Sequence, residues 1–220
     1  AFNKHIIRLA SNESMELLQK REVGLSFPEI VIVNNNNNRG SLQVLLGIYR
    51  LVCSNGLILG DNFFSSKVRH SKNFASDLLT ALTKASEKYN QVTDVILRMT
   101  NKELSSLEVI DYKWAVMDNI IKPYLTNKNT QNLVIKSKFD PVRSEDMKKD
   151  LWATFNRLQE YIIRRGVQYS RLDNVYNKKL NEYEPKLINS TTRQITGSDR
   201  LVQMNQKLMD FTLEYFNMAA

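Results

Sequence analysis

The chain has 220 residues, 42% of them hydrophobic and 25% charged, and its 31 Lys and Arg against 23 Asp and Glu give a net charge of +8. That length suits one large domain or a domain with a helical appendage. No run approaches the roughly 18 uninterrupted apolar residues that span a bilayer, and a single cysteine, Cys53, excludes an intrachain disulfide and fits a reducing compartment.

The opening AFNKHIIRLASNE lacks an apolar stretch of signal-peptide length, so the expected location is the cytoplasm. Up to about Arg21 the pattern predicts a short amphipathic helix with Met15, Leu17 and Leu18 as its apolar part. The period then changes. Ile30, Val31, Ile32 and Val33 form a β-branched run, followed by the polar insert NNNNNRG and by SLQVLLGIYRLVC. Two β-rich runs separated by Asn and Gly predict a hairpin with a long tip. Ser54-Asn55-Gly56 is the next turn signal, and FFSSKVRHS follows it. The reading is a three- or four-strand antiparallel meander between about residues 24 and 71.

From Phe74 the apolar residues Phe74, Leu78, Leu82, Ala85 and Tyr89 recur at helical spacing. Thr100 to Glu103 reads as a capping box for a helix with Leu104, Leu107, Trp114, Met117 and Ile121 on one side, ending near Pro123. Residues 126–141 are polar and asparagine-rich and read as a linker. Ser144, with Glu145 and Asp146, opens a helix with Leu151, Phe155, Leu158 and Ile162 on its apolar face. Thr196 and Asp199 cap a last helix carrying Leu201, Met204, Leu208, Phe211 and Tyr215. Between them, Arg164 to Arg193 is basic, with Tyr169, Tyr176 and Tyr183 seven residues apart. Tyrosines so spaced suit core positions of a long helix; interleaved with Arg and Lys they also suit a surface that tracks a backbone and stacks bases. The expected fold class is α+β: an antiparallel β-meander with packed helices, followed by a helical C-terminal part. The expected division is a sheet-bearing domain (1–125), a linker (126–141) and a helical region (142–220).

Few chemistries have their residues here. A structural zinc needs four Cys or His ligands and a catalytic one usually three; Cys53, His5 and His70 lack that spacing, so no metal is expected. No glycine-rich phosphate cradle or nucleophile-elbow motif occurs, so no cofactor is expected. Cys53 and His70 end strands of one predicted sheet and could form a nucleophilic pair oriented by Asn55. A lone cysteine at a strand end more often packs as a small apolar residue, so the chain is not expected to be an enzyme.

The basic balance favours an anionic partner, because clustered cations release counterions as they neutralise phosphates; the same charge can also serve solubility alone. Alternation puts Lys67 and Arg69 on one face of a strand, about 7 Å apart, matching successive phosphates of an extended strand. Arg50 falls on the apolar face when counted from Leu42 through Val44, Leu46 and Ile48. Either it is buried and paired, or a bulge at Gly47 resets the alternation, which a glycine inside a strand favours. In the second case Arg50 joins Lys67 and Arg69 along a groove, with Tyr49 or Phe63 as stacking partners. The plain alternative is a set of solvated strand-end charges.

The stretch IYRLVCSNGLIL, followed by VRHS, resembles a phage- and plasmid-borne family known only as a domain of unknown function. The matching residues are Arg50, Val52, Cys53, Asn55, Arg69 and His70, with Ser71 where threonine is usual. In DLWATFNRLQEYI, Leu151, Trp152, Asn156 and Glu160 match a later motif. The resemblance runs over about residues 24 to 215, and a glycine-rich segment of the family is only faintly echoed at Thr196-Gly197. The hairpin-then-helix order and the phage context are similar to single-strand annealing proteins, an analogy at the level of fold. It implies a homo-oligomer, in the host cytoplasm if a phage encodes it.

Together these readings point to nucleic acid, single-stranded DNA above all, as the partner, bound without regard to sequence in annealing or recombination. Arg50, Lys67 and Arg69 would contact phosphates, Asn55 would shape the turn, Tyr49 and Phe63 would stack, and Arg164 and Arg165 would form a second patch. The competing reading is a structural or interaction protein, such as a particle-packaged or host-defence-blocking factor, whose charge is incidental.

Overall fold

A computed structural model describes residues 4–11, 26–35, 41–51, 58–126, 131–141, 144–195 and 198–218. The fold is α+β, in two compact units: Ala1–Asn101 with Gly197–Gln206, and Lys102–Thr196 with Lys207–Ala220. Among the described residues no helix is long and apolar enough to cross a membrane.

The first unit is built on a four-stranded antiparallel sheet in the order β1 (Lys4–Leu9), β2 (Ser26–Asn35), β3 (Leu42–Leu51), β4 (Ile58–Val68). The opening residues therefore form a strand where a helix was expected. Ile6 and Ile7 are β-branched and pair with Val33 and Ile32 of β2, so strand propensity and ladder pairing outweigh any helical pattern. Met15, Leu17 and Leu18 lie outside the described residues. The Gly60-Asp61 pair lies within β4.

Helix α1 (Phe74–Asn101) covers one face of the sheet. Leu42, Val44 and Val68, flanked by Ile30, Ile32 and Phe64, pack against Ala81 and Ala85, with Phe74, Leu78 and Leu82 alongside. The two alanines let the helix backbone approach the strands closely, and a fully buried Val44 or Leu46 contributes about 1.5–3 kcal/mol. The opposite face has its own buried cluster of Val31, Val33 and Leu45. A strand buried on both faces needs apolar residues at every position, which is why β3 reads as an almost continuous apolar run.

Glu29 sits on that opposite face and is only 3% exposed. Burial pushes its carboxyl above the ordinary carboxylate range, and the Arg8 guanidinium, whose Nε donates to Glu29 Oε2 at 2.6 Å, partly offsets this.

Helix α1 runs through Thr100, which was expected to cap the start of the next helix. The Thr100 hydroxyl donates to the Ile96 carbonyl at 2.8 Å, a bond within the helix that takes the group away from capping. The true cap is Ser105: its Oγ accepts from the Glu108 amide while Glu108 Oε2 accepts from the Ser105 amide.

In the second unit, α2 (Ser106–Val116) continues through a π-helical turn (Met117–Ile121) into Lys122–Leu125. The helix thus passes Pro123, because the π turn bonds the Lys122 amide to the Met117 carbonyl and re-registers the ladder around a residue that donates nothing. Tyr112 of α2 is wholly buried. The Thr212 hydroxyl spends its proton on the Leu208 carbonyl, so Tyr112 donates to Thr212 Oγ1, both at 2.6 Å. Burial pushes the phenol well above its ordinary range.

Strand β5 (Gln131–Ile135) falls within the stretch read as a linker, and α3 (Leu151–Glu160) is capped by Asp150, which accepts from the Ala153 amide. The tract after α3 is a hairpin, β6 (Gln168–Asn177) and β7 (Glu182–Thr191), giving a second antiparallel sheet in the order β5-β6-β7. The heptad of tyrosines is thus no helix. Pro185 cannot sit inside one without losing a hydrogen bond and clashing with the preceding turn, whereas an edge strand tolerates it. Asn181, at φ 54°, supplies the left-handed turn residue. The chain closes with α4 (Ser198–Tyr215).

Gly166 joins the π-helical turn after α3 to β6 at φ +87°. Val167 and Thr192 exchange bonds beside it: the Val167 amide donates to Thr192 Oγ1 at 2.8 Å and the Thr192 amide to the Val167 carbonyl at 3.0 Å. A Cβ at 166 would meet the Thr192 carbonyl oxygen at 2.3 Å and Thr191 Cγ2 at 2.7 Å.

Two outcomes are expected. Gly166→Ala should cost about 2–4 kcal/mol, from a backbone region open to glycine and from the clash; a near-neutral change in a urea melt would show that the hairpin base relaxes freely. Arg8→Met leaves the Glu29 carboxylate buried without its cation. It should cost about 2 kcal/mol at pH 7, less than a fully buried pair because Arg8 is partly exposed. A carboxyl whose folded-state pKa is raised destabilises the fold above that pKa and ceases to as pH falls through it. The deficit should therefore shrink from pH 7 towards pH 5 and be reversed by adding Glu29→Gln. A deficit independent of pH would assign the loss to packing.

Candidate nucleic-acid interface

Backbone register alone does not bring the predicted cations of the first unit to one face of its sheet. The β2–β3 ladder is unbroken from Ser26 opposite Arg50 to Val33 opposite Gln43. The irregularity at Leu46/Gly47 lies in the pairing with β4, where Leu46 faces Phe64 and Gly47 faces Asn62. Phe63 is the extra residue, so the bulge resets β4 and leaves the alternation of β3 intact. Arg50 therefore keeps the register position of Leu42, Val44, Leu46 and Ile48, whereas Lys67 pairs with Gln43 and belongs to the other face. The side chains of Tyr49, Arg50 and Phe63 lie outside the described residues, as do Cys53 and Asn55 entirely.

Lys67 and Arg69 are both exposed. Strand β4 ends at Val68, buried at 3% against α1, so Arg69 follows the strand and is not held in its alternation. His70 is exposed and stacks on Phe74, with ring centroids 5.0 Å apart. Among the described residues no three His, Cys, Asp or Glu side chains cluster as metal ligands.

Arg164 and Arg165 lie on the π-helical turn after α3, and both face Glu160. Arg164 Nε is 3.8 Å and Arg165 Nε 3.4 Å from its carboxylate oxygens. One half-buried carboxylate serves two guanidiniums, so this pair is a local charge network more than an open patch.

The β6–β7 hairpin gathers the other basic and aromatic residues of that tract. Register pairs Tyr176 with Tyr183, Asn174 with Pro185 and Leu172 with Leu187, which places these side chains on one face. The rings of Tyr176 and Tyr183 are 5.3 Å apart, and they are 45% and 71% exposed. The Tyr176 hydroxyl donates to Asn181 Oδ1, fixing the ring to the turn. Lys178 and Lys179 stand exposed at the tip, where the Lys179 amide donates to Asn177 Oδ1 at 3.0 Å. Lys186 is exposed on the other face, while Arg171 is paired with Asp173 at 2.9 Å. The sequence held this signal as tyrosines interleaved with lysines; the seven-residue spacing concealed that two of them are cross-strand partners.

The chain belongs to the family described as "Domain of unknown function (DUF932)", whose model matches residues 2–209. It is 24% identical over 212 residues to the UPF0380 protein YafZ of Escherichia coli (strain K12). It is 26% identical over 208 residues to the UPF0380 protein YfjQ of the same organism. Each alignment covers 93% of this chain and 66% of the relative, so the chain spans about two thirds of their length. No solved structure matches it.

Proposed function

We propose that this DUF932 member binds nucleic acid, single strands in preference to duplex, through the β6–β7 hairpin. The observation that carries the reading is the exposed Tyr176–Tyr183 pair on an arm tipped by Lys178 and Lys179. Unpaired bases stack on exposed aromatic rings whatever their sequence, and lysines beside the rings meet the phosphates that follow. A duplex hides its base faces and offers such an arm little beyond charge. Lys67 and Arg69 are a second phosphate-contacting pair in this reading, and Arg50, Asn55, Tyr49, Phe63, Arg164 and Arg165 keep supporting roles. A part in strand annealing or recombination, by a homo-oligomer, is its finer form and rests on the resemblance of the sequence motifs and on fold-level analogy.

A second reading, an interaction protein with incidental charge, draws on the same hairpin. β7 is an edge strand, with Leu187 58% exposed, and exposed edges invite pairing with another chain.

Fluorescence anisotropy with labelled single strands separates the two. Lys178→Ala with Lys179→Ala should weaken binding and flatten the dependence of affinity on salt by about 0.7 in log–log slope per lysine removed. Tyr183→Ala should cost about 1–3 kcal/mol of affinity by loss of stacking. Equal binding by all variants would take the site off the hairpin, whereas no binding at low salt alongside stable self-assembly would favour the interaction protein.

A further inference from the structure

Helix α2 presents Ile110, Lys113, Trp114 and Met117 along one stripe, at the three- and four-residue steps that put side chains one above another. Opposite it runs segment 135–139, which leaves β5 carrying Lys136 and Lys138 on either side of Ser137. The two enclose a cleft of about 340 Å³. Its walls are tied down. Lys113 Nζ reaches the Lys138 carbonyl at 3.4 Å, Lys136 Nζ donates to Asn189 Oδ1 at 2.7 Å, and Ser137 Oγ accepts from the Gln168 amide at 2.8 Å. At its end Phe139 holds φ at 55°, rare for a bulky residue. Its buried ring packs edge-on against Tyr161 at 5.3 Å, which holds the turn in place.

The chemistry inside is lopsided. Three lysines line the cleft, no carboxylate residue does, and among the described residues none of the three is ion-paired. Lys113 is half-buried, and its pKa is pushed down, first by burial and then by the nearby Arg157 guanidinium, with Asp140 acting the other way. Arg157 Nε is itself buried with no hydrogen-bond partner. Arg157 already donates to Thr154 Oγ1 at 2.6 Å and has Asp146 and Asp150 nearby, so the group an anion in the cleft would relieve is Lys113. Beside the lysines, Trp114 is 52% exposed, an unusual state for the largest apolar side chain and one that offers a flat indole face. The volume lies at the small end of the range for ligand pockets, about 300–1,000 Å³, which suits one heterocycle with its sugar and phosphate.

We infer that this cleft binds a nucleoside phosphate, the base stacked on Trp114 and the phosphate held by Lys113, Lys136 and Lys138. The inference stands apart from the hairpin tip: no hairpin residue lines the cleft, and Gln168 and Asn189 at the hairpin's base only brace its wall. The same chemistry could come from a free nucleotide or from one nucleotide of a strand, and the test distinguishes them.

AMP is titrated into the whole protein by calorimetry and by tryptophan fluorescence. The other tryptophan, Trp152, is 9% exposed and stacked on Phe155, so quenching of the exposed indole reports the cleft. Adenosine and inorganic phosphate should each bind about tenfold or more weaker than AMP, because each fills half the site. Trp114→Phe should keep the affinity within about threefold, and Trp114→Ala should lose about tenfold. Lys113→Ala with Lys138→Ala should also lose about tenfold. Lys138 is exposed and Lys113 half-buried, and a melt unchanged from wild type separates lost binding from lost folding. Lys178→Ala with Lys179→Ala should leave AMP binding unchanged even if it abolishes oligonucleotide binding, so the two readings fail separately. Loss of oligonucleotide binding in the cleft variants, with no response to free AMP, assigns the pocket to a nucleotide within a strand. AMP binding no tighter than phosphate, with oligonucleotide binding untouched in every cleft variant, overturns the inference.

Discussion

Between Ser26 opposite Arg50 and Val33 opposite Gln43, the ladder of β2 and β3 runs without a break. Because a strand turns successive side chains to opposite faces, a slip of one residue would exchange the two faces completely. Here both are buried: Leu42 and Val44 under α1, and Val31, Val33 and Leu45 on the other side. Neither face tolerates the exchange, so the register is held from both directions. It also decides where charge can go. Lys67 pairs with Gln43, Arg50 keeps step with Ile48, and the two cannot serve one groove by alternation alone. The bulge at Phe63 relieves β4 of the strict pairing without loosening β3.

The second unit solves a different problem, that of continuing elements past residues that would end them. Pro123 sits in a helix because a π turn shifts the hydrogen bonds ahead of it. Gly166 makes the turn from a second π-helical segment into β6 in a conformation that a side chain would block. Pro185 is accommodated because β7 is an edge strand. Each device has a local cause. Together they set the hairpin and the Trp114 cleft on anchored backbone, which a site requires if it is to bind without first ordering itself.

How much of this the sequence discloses follows from the range of each signal. Turn residues, β-branched runs and the helical spacing of Phe74, Leu78 and Leu82 act over a few residues, and the meander and α1 stand where those signals put them. Capping failed at Thr100 because its hydroxyl had a competing acceptor one turn back, which no spacing rule weighs. The heptad of tyrosines failed because seven residues along a chain also fit opposite positions of a hairpin, and Pro185 was the discriminating residue. The Trp114 cleft was half legible. Ile110, Lys113, Trp114 and Met117 form a visible stripe, but Lys136 and Lys138 reach it only through a tertiary contact. Trp114, read only as one of the apolar residues along one side of its helix, is half-exposed.

The distribution of charge narrows what kind of recognition the molecule can perform. Among the described residues five arginines are held by carboxylates: Arg8 by Glu29, Arg98 by Asp94, Arg164 and Arg165 by Glu160, and Arg171 by Asp173. A planar guanidinium suits fixed, partly buried pairing with a carboxylate, whereas an ammonium is a compact charge on a flexible, strongly hydrated stem. Among the described residues, Lys113, Lys136, Lys138, Lys178, Lys179 and Lys186 have no carboxylate partner. The positive excess that a partner would meet is therefore carried mainly by lysine. Lysine holds a phosphate as a point charge and reads little geometry, so selectivity must come from what stands beside it. In the hairpin that is a pair of tyrosines, and in the cleft a tryptophan. Both are flat apolar surfaces, and under the proposed readings they would favour ligands that bring an unpaired aromatic base together with their negative charge.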